Sequence, residues 1–350
     1  MIDWLTFWAP LAHQVGAGGP FYAGSLLSTR PDPEHGEVAE WEVLKRLPVE
    51  GSYSNRITVQ SCEREGRPGV WISGCPAKWF QGHNVHGSDD LPGLVLEMLS
   101  RVCASLGVRP SAGDLEAWHA GHIHLTRVDV TYSWQLHQLA RVMAAIRGLA
   151  ATAHLRHRGP GVFKGDTLYY GKTSTRYGWK FYAKGLELQA RPLPLDLAES
   201  SLGDHAQGLL RAELCLRSKT LKARGLDTLA AWCDTLPAEL HREYLARIDV
   251  AHSTMLEHHD LQAVPKRLHL TYQAWRDGHD LRAILPRATF YRHRAELLKL
   301  GIDIAVKQHR DEDPSNVVPL RTVLVAQPAQ VPDWLVGTRW YFEPRAVIAA

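Results

Sequence analysis

Near residue 220 the hydrophobic residues of this chain change period, from every second position in short runs to every third or fourth position, so neither a uniform sheet nor a uniform helical bundle accommodates the whole sequence. Before that point, residues 1 to 8 set Ile2 and Trp4 against Leu5 and Phe7. Residues 41–45, 56–61, 70–73, 122–132, 167–170, 179–188 and 210–216 are rich in alternating, β-branched or aromatic side chains, the pattern of strands. Two helices interrupt them. Ser88-Asp89-Asp90 caps the first, with Pro92 early, Leu94, Met98, Val102 and Leu106 near helical spacing, and Gly107 as its stop; the second spans 135–147. Beyond 220, Leu229, Leu236, Leu240 and Leu245 keep a helical pattern until a strand pattern returns at 317–325. The prediction is an α+β fold in two parts: a sheet-rich domain over 1–220 and a mainly helical region over 221–350 with a short C-terminal strand, without internal repeats.

Composition removes several classes. With 350 residues, 45% apolar and 22% charged, and with Gly 28 and Pro 20, the chain is too apolar and too complex for a disordered or collagen-like protein. No run approaches the roughly 18 uncharged apolar residues of a membrane span, and no basic region precedes an apolar core at the N-terminus, so a cytoplasmic protein is expected. Five cysteines without Cys-x-x-Cys spacing predict reduced core residues rather than a disulfide framework or a zinc ribbon. Charge is uneven. Residues 120 to 219 hold 14 Lys and Arg against 7 Asp and Glu in a chain whose net charge is only +3. Such a basic segment suits a phosphate-binding surface, and equally a solvated basic face.

Five segments carry more than pattern. The run SGCPAKWFQGHNVHGSDDL (73–91), the strands LTRVDVTYS (125–133) and WKFYAKGLEL (179–188), the segment LLRAELCLRSKTLKARGL (209–226) and the tail NVVPL…VPDW resemble, in the same order, the replication initiators of filamentous bacteriophages, the gene II/X family. The opening MIDWL is similar too; residues 12–50 and 150–165 are not matched. The resemblance implies an antiparallel-sheet nicking domain of the rolling-circle type. A tyrosine would attack one strand of the double-stranded replicative-form DNA at the phage origin, leaving a 5′-phosphotyrosyl link and a 3′-OH primer. It also implies origin DNA, host helicase and replication polymerase as partners in a bacterial cytoplasm, and leaves a homo-oligomer open.

A covalent phosphotyrosine keeps the phosphodiester available for religation, but a phenol with pKa near 10 needs a base, metal or cation to activate it. Tyr182 matches the family's catalytic tyrosine, within FYAKG. Lys184 projects to the same side of a regular strand, where it would lower the phenol pKa or hold the scissile phosphate. Spacing alone reads the pair as an interior tyrosine beside a surface lysine; the family position reverses that. Tyr169, Tyr170 and Tyr177 compete, and circle closure leaves room for a second tyrosine. Mg²⁺ or Mn²⁺ would polarise the phosphate, and two ligand sets are available. One is Asp129, Glu213 and His83, in the family-shared motifs; the other is His122 and His124, spaced as in rolling-circle nucleases generally. On a regular strand the histidines face away from Asp129, so one site cannot use all three without a bulge, and the Asp129 set is preferred. Glu187 is a further carboxylate.

Residues 270–303 read as helix, Gly turn, short helix, a Pro286-Arg287 turn and a longer helix stopped by Gly301, with Leu281, Ile284, Leu285, Phe290, Leu297 and Leu300 as core. This resembles a helix-turn-helix with Arg287, Thr289, Arg292 and Arg294 placed for DNA contact; an ordinary basic hairpin is the alternative, and four Lys and Arg against one Glu over 287–300 favour DNA. A non-enzymatic origin-binding repressor is the competing reading. Met255 is placed to start a shorter C-terminal product that would bind DNA without cutting it.

Overall fold

The computed structural model describes residues 1–31, 38–155, 161–191, 193–250, 264–276, 279–298, 300, 302, 304–305 and 327–344. Thirteen strands form along them: β1 (Ile2–Pro10), β2 (Ser25–Pro31), β3 (Val38–Leu44), β4 (Leu47–Glu50), β5 (Arg56–Arg64), β6 (Arg67–Gly74), β7 (His124–Gln135), β8 (Ala153–Leu155), β9 (Val162–Lys164), β10 (Thr167–Tyr170), β11 (Tyr177–Ala183), β12 (Leu209–Arg217) and β13 (Ile248–Val250). The helices are α1 (Pro76–Gln81), α2 (Leu91–Ser105), α3 (Ala112–His119), α4 (Leu139–Thr152), α5 (Lys184–Ala190), α6 (Leu195–Ala198), α7 (Leu202–Gln207), α8 (Ser218–Ala223), α9 (Leu236–Leu245), α10 (His269–Arg276), α11 (Leu281–Ile284) and α12 (Arg287–Leu298).

Nine strands make one sheet in the order β4-β5-β6-β1-β7-β12-β11-β10-β9, every pair antiparallel. Its centre is two-faced because alternate residues point to opposite sides. Val128 and Val130 of β7, Leu214 and Leu216 of β12, and Trp179 and Phe181 of β11 are at most 1% exposed and belong to the main core. Leu94, Met98, Leu99 and Val102 of α2 and Val142, Ile146 and Leu149 of α4 join them. Each such side chain contributes roughly 2 kcal/mol by leaving water. The intervening residues, Asp129 and Thr131, Arg211 and Glu213, Lys180 and Tyr182, share the opposite face.

The α+β expectation holds, and the differences have local causes. The run 179–188 alternates throughout, yet β11 stops at Ala183 and α5 begins at Lys184, whose ammonium binds Glu187 one helical turn on, at 2.5 Å. The helix expected from 135 starts at 139 because His137 takes φ 64° in the turn out of β7. Packing also runs past 220. Leu221, Leu229, Leu240, Tyr244 and Ile248 of the following segments belong to the sheet core, whereas Val264, Leu268, Tyr272, Leu281, Phe290, Leu297, Ile302 and Ile304 form a separate core around α10–α12. Ile284, expected in that core, is 57% exposed. Residues 327–344 then return to the sheet domain. The expected strand at 317–325, the NVVPL run, Gly301 and Met255 lie outside the described residues. All five cysteines are free, and among the described residues no helix is long and apolar enough to cross a membrane.

Candidate active site

The polar sheet face sets Tyr182 among the cations Arg127, Lys180 and Arg211 and the carboxylates Asp129 and Glu213, with Asp3 close by. Register places Glu213 of β12 between Thr131 of β7 and Lys180 of β11, with Arg211 opposite Tyr182. The Tyr182 hydroxyl donates to Glu213 Oε1 at 2.5 Å, and Lys180 Nζ donates to Glu213 Oε2 at 2.5 Å. Lys180 also lies 4.0 Å from Asp129, whose two oxygens accept from Arg127 at 2.9 and 2.5 Å. The third carboxylate, Asp3 of β1, accepts from Asn84 Nδ2 at 2.7 Å. Asn84 Oδ1 in turn accepts from Lys184 Nζ at 2.6 Å, and Glu187 joins Lys184 to Lys78, at 2.5 and 3.0 Å. Arg211 spends its guanidinium on Ser133 and on the carbonyls of Asn84 and Val85, pinning the loop after α1 against the sheet.

Electrostatics prepare these groups unequally. Burial, with the Glu213 carboxylate beside it, pushes the Tyr182 phenol well above its ordinary value, against the pull of Arg211. Burial and Asp3 raise Glu213, which Lys180 opposes, so this carboxylate is a stronger proton acceptor than an exposed one. Burial disfavours the charge on Lys180, but Glu213 and Asp129 outweigh it and keep the lysine protonated. Lys184, fully buried and near Arg211, is brought down to about 8. Burial works against ionised Glu187, yet Lys184 and Lys78 bring it to about 2. The phenol therefore stays protonated, without the lowering expected from Lys184, but it has a basic carboxylate already in contact as a proton acceptor and a cation beside it.

The sequence-derived candidates fare differently. Tyr182, Asp129 and Glu213 share one face, and Lys184 reaches it through Asn84 although it starts a helix. His83 is committed elsewhere: Nδ1 accepts from the Val85 amide at 3.2 Å and Nε2 donates to the Trp340 carbonyl at 2.7 Å. Burial accordingly keeps it neutral, with its pKa lowered to about 4. A register shift between Thr6 and Phe7, opposite Arg127 and Leu125, is the bulge that parity reasoning required, and it turns His124 to the face of Asp129. His124 nevertheless pairs with Asp227 at 3.6 Å, five residues and about 16 Å along the strand from Asp129. His122 is exposed ahead of β7. Among the described residues no group of three or more His, Cys, Asp and Glu side chains converges on a metal position. The hard oxygens of Asp129 and Glu213 suit Mg²⁺ or Mn²⁺, whereas His83, with both nitrogens used, does not. Of the competing tyrosines, Tyr170 is buried with its hydroxyl on the Leu149 carbonyl at 2.8 Å, and Tyr177 packs edge-on to Tyr244. Tyr169 shares the face of Lys180.

Lys180, Asp3 and Asn84 escaped the sequence reading. Lys180 had a signal, since it precedes Tyr182 by two residues; Asp3 is revealed only by the pairing of β1 with β7. In the second core, Arg287 and Arg292 of α12 are exposed together with Tyr291, while Thr289 and Arg294 are half-buried.

Similarity to known proteins covers both parts of the chain. Residues 1–235 match the N-terminal family of the phage replication-associated gene II protein, and residues 256–345 match its C-terminal family. The replication-associated gene II protein of Enterobacteria phage I2-2 is 36% identical over 339 residues, covering 95% of each chain. With both of its halves and nearly its full length accounted for, the chain belongs to the gene II family of filamentous-phage replication-associated proteins.

Proposed function

We propose that the protein initiates rolling-circle replication by nicking and resealing one strand of the double-stranded replicative form at the phage origin. The observation that supports this most directly is the Tyr182 hydroxyl held on Glu213 beside Lys180. Glu213 accepts the phenolic proton as the Tyr182 oxygen attacks phosphorus. The new O–P bond replaces the bond to the 3′ oxygen, which leaves as a 3′-OH after protonation, so the phosphate stays on the tyrosine. Reversal of the same step reseals a strand. Asp129 and Glu213 would hold Mg²⁺ or Mn²⁺, which supplies charge stabilisation at the phosphoryl oxygens. Lys184 acts at one remove, fixing Asn84 and through it Asp3. The exposed Arg287, Tyr291 and Arg292 of α12, with Thr289 and Arg294 beside them, form a helix-turn-helix-like face for the origin duplex. Host helicase and polymerase would then use the opened strand and its 3′ end.

The test is incubation with supercoiled origin DNA. Relaxed circles carrying covalently attached protein are expected, together with loss of nicking but retained binding in Tyr182→Phe, which deletes one oxygen and little volume. Binding without nicks by the unaltered protein would leave an origin-binding repressor. Normal nicking by Tyr182→Phe, with loss in Tyr169→Phe or Tyr170→Phe, would reassign the nucleophile.

A further inference from the structure

Tyr169 and Tyr170 are consecutive and face opposite ways. Tyr170 fastens the sheet to α4 through the Leu149 carbonyl. Tyr169 stands on the other face in a straight cross-strand row, Glu213-Lys180-Tyr169-Val162, fixed by the pairings of β12, β11, β10 and β9. At about 5 Å per strand, its ring lies roughly 10 Å from the carboxylate that holds the Tyr182 hydroxyl. Lys172 Nζ sits 5.1 Å from the ring centroid, and Val162, on its other flank, is 59% exposed. The surrounding segment 162–180 carries Lys164, Lys172, Arg176 and Lys180 against the single acid Asp166. An exposed, apolar-edged sheet margin is ordinarily an aggregation hazard, and basic residues around a half-buried aromatic ring give it a use.

We infer that Tyr169, flanked by Lys172 and Val162, is a stacking seat for an unpaired base of the strand being cut. This rests on the assignment of the adjoining face as the nicking site. A phosphodiester at Tyr182 requires its flanking nucleotides to lie across the same face, and a base has an aromatic surface whatever its identity. The lysines supply counter-charge to the backbone on either side. The seat therefore selects single-stranded over duplex DNA, leaving sequence reading to other parts of the chain. Tyr169 binds through its ring, and its hydroxyl has no part in the chemistry.

Binding of a fluorescent single-stranded oligonucleotide, taken from the strand flanking the nick, to the full-length protein tests this. Tyr169→Ala is expected to weaken that binding about tenfold or more, with duplex binding unchanged. Tyr169→Phe, which keeps the ring, should retain the single-strand binding that Tyr169→Ala loses, and Lys172→Ala should reduce the salt dependence of binding. Unchanged single-strand affinity in Tyr169→Ala overturns the seat; so does a defect in Tyr169→Phe as large as that of Tyr169→Ala, which would assign the role to the hydroxyl. If Tyr169→Ala loses single-strand binding while Tyr182→Phe still nicks, the seat stands and the nucleophile assignment falls.

Discussion

Asp129 is held by Arg127 and Lys180, while His124 answers to Asp227 and His122 to solvent. Removing the Asp129 carboxylate leaves the Arg127 guanidinium without its acid partner and Lys180 with Glu213 alone, beside the proposed nucleophile. Asp129→Ala is therefore expected to abolish nicking at every Mg²⁺ or Mn²⁺ concentration, and the double change His122→Ala, His124→Ala to leave most of it; metal titrations of the nicking rate decide between them. Glu187 offers a pH signature. Its pKa falls from an ordinary 4.5 to about 2 in the fold, so the unfolded chain binds its proton first as the solution is acidified. The stabilisation, up to about 3 kcal/mol, is complete above pH 4.5 and is lost as pH falls toward 2. Unfolding midpoints measured down that range should drop more steeply for the unaltered protein than for Glu187→Gln, which has no charge to lose. Tyr182, Asp129 and Glu213 were picked out by their places in the family-shared motifs, since spacing alone left Tyr182 an interior tyrosine; the pairing of β7, β12 and β11 puts the three on one face. Asp3 and Asn84 were not picked out, since no spacing within one segment reports which distant strand or loop lies beside it.

At the scale of elements, alternation located most central strands but misread two endings. Lys-Gly-Leu-Glu-Leu (184–188) continues the alternating pattern of β11, and only the Lys184–Glu187 pair and the close packing of α5 against α7 make it helical. Gly185 shows how tight that packing is: a Cβ there would stand 2.7 Å from Gln207 Oε1 and 2.8 Å from Gln207 Cα. Gly185→Ala is expected to lower stability by about 1–3 kcal/mol and to reduce nicking through Lys184. Thermal unfolding together with the nicking assay checks both, and an unchanged melting temperature would mean that α7 yields without cost. The bulge in β7 was foreseeable as a possibility and not as a fact, because nothing local in His-Leu-Thr-Arg distinguishes a bulged strand from a regular one. The start of helix α12 was legible from its Pro286 entry, its expected stop at Gly301 lying outside the described residues, while the exposure of Ile284 follows from α11 being a single turn with one buried residue.

For the molecule as a whole, the change of period separated sheet from helices but concealed the return of the chain. Residues 327–344 carry no helical or strand periodicity, and they are held by scattered contacts that no pattern announces. Ala329 N donates to the Ser133 carbonyl at 2.7 Å, and Leu335 is fully buried in a cluster with Val85, Leu197 and Leu202. The Trp340 carbonyl receives His83, the Phe342 amide donates to Gln81 Oε1 at 2.7 Å, and the Phe342 ring meets Phe80 at 4.3 Å between centroids. Gln81 in turn bonds the carbonyls of His83 and His86, so this returning segment braces both ends of the loop from which Asn84 reaches Asp3 and Lys184. The site is thus closed by a stretch distant in sequence from all of its polar residues. A chain ending at residue 326 is expected to keep the α10–α12 core, and with it duplex binding, because the buried residues of that core all precede 305. It should lose nicking, and hydrogen exchange should rise in the amides of 82–90. Full nicking with unchanged exchange would reduce the returning segment to a passive cover. Loss of duplex binding alongside nicking would show that the two cores depend on each other through it.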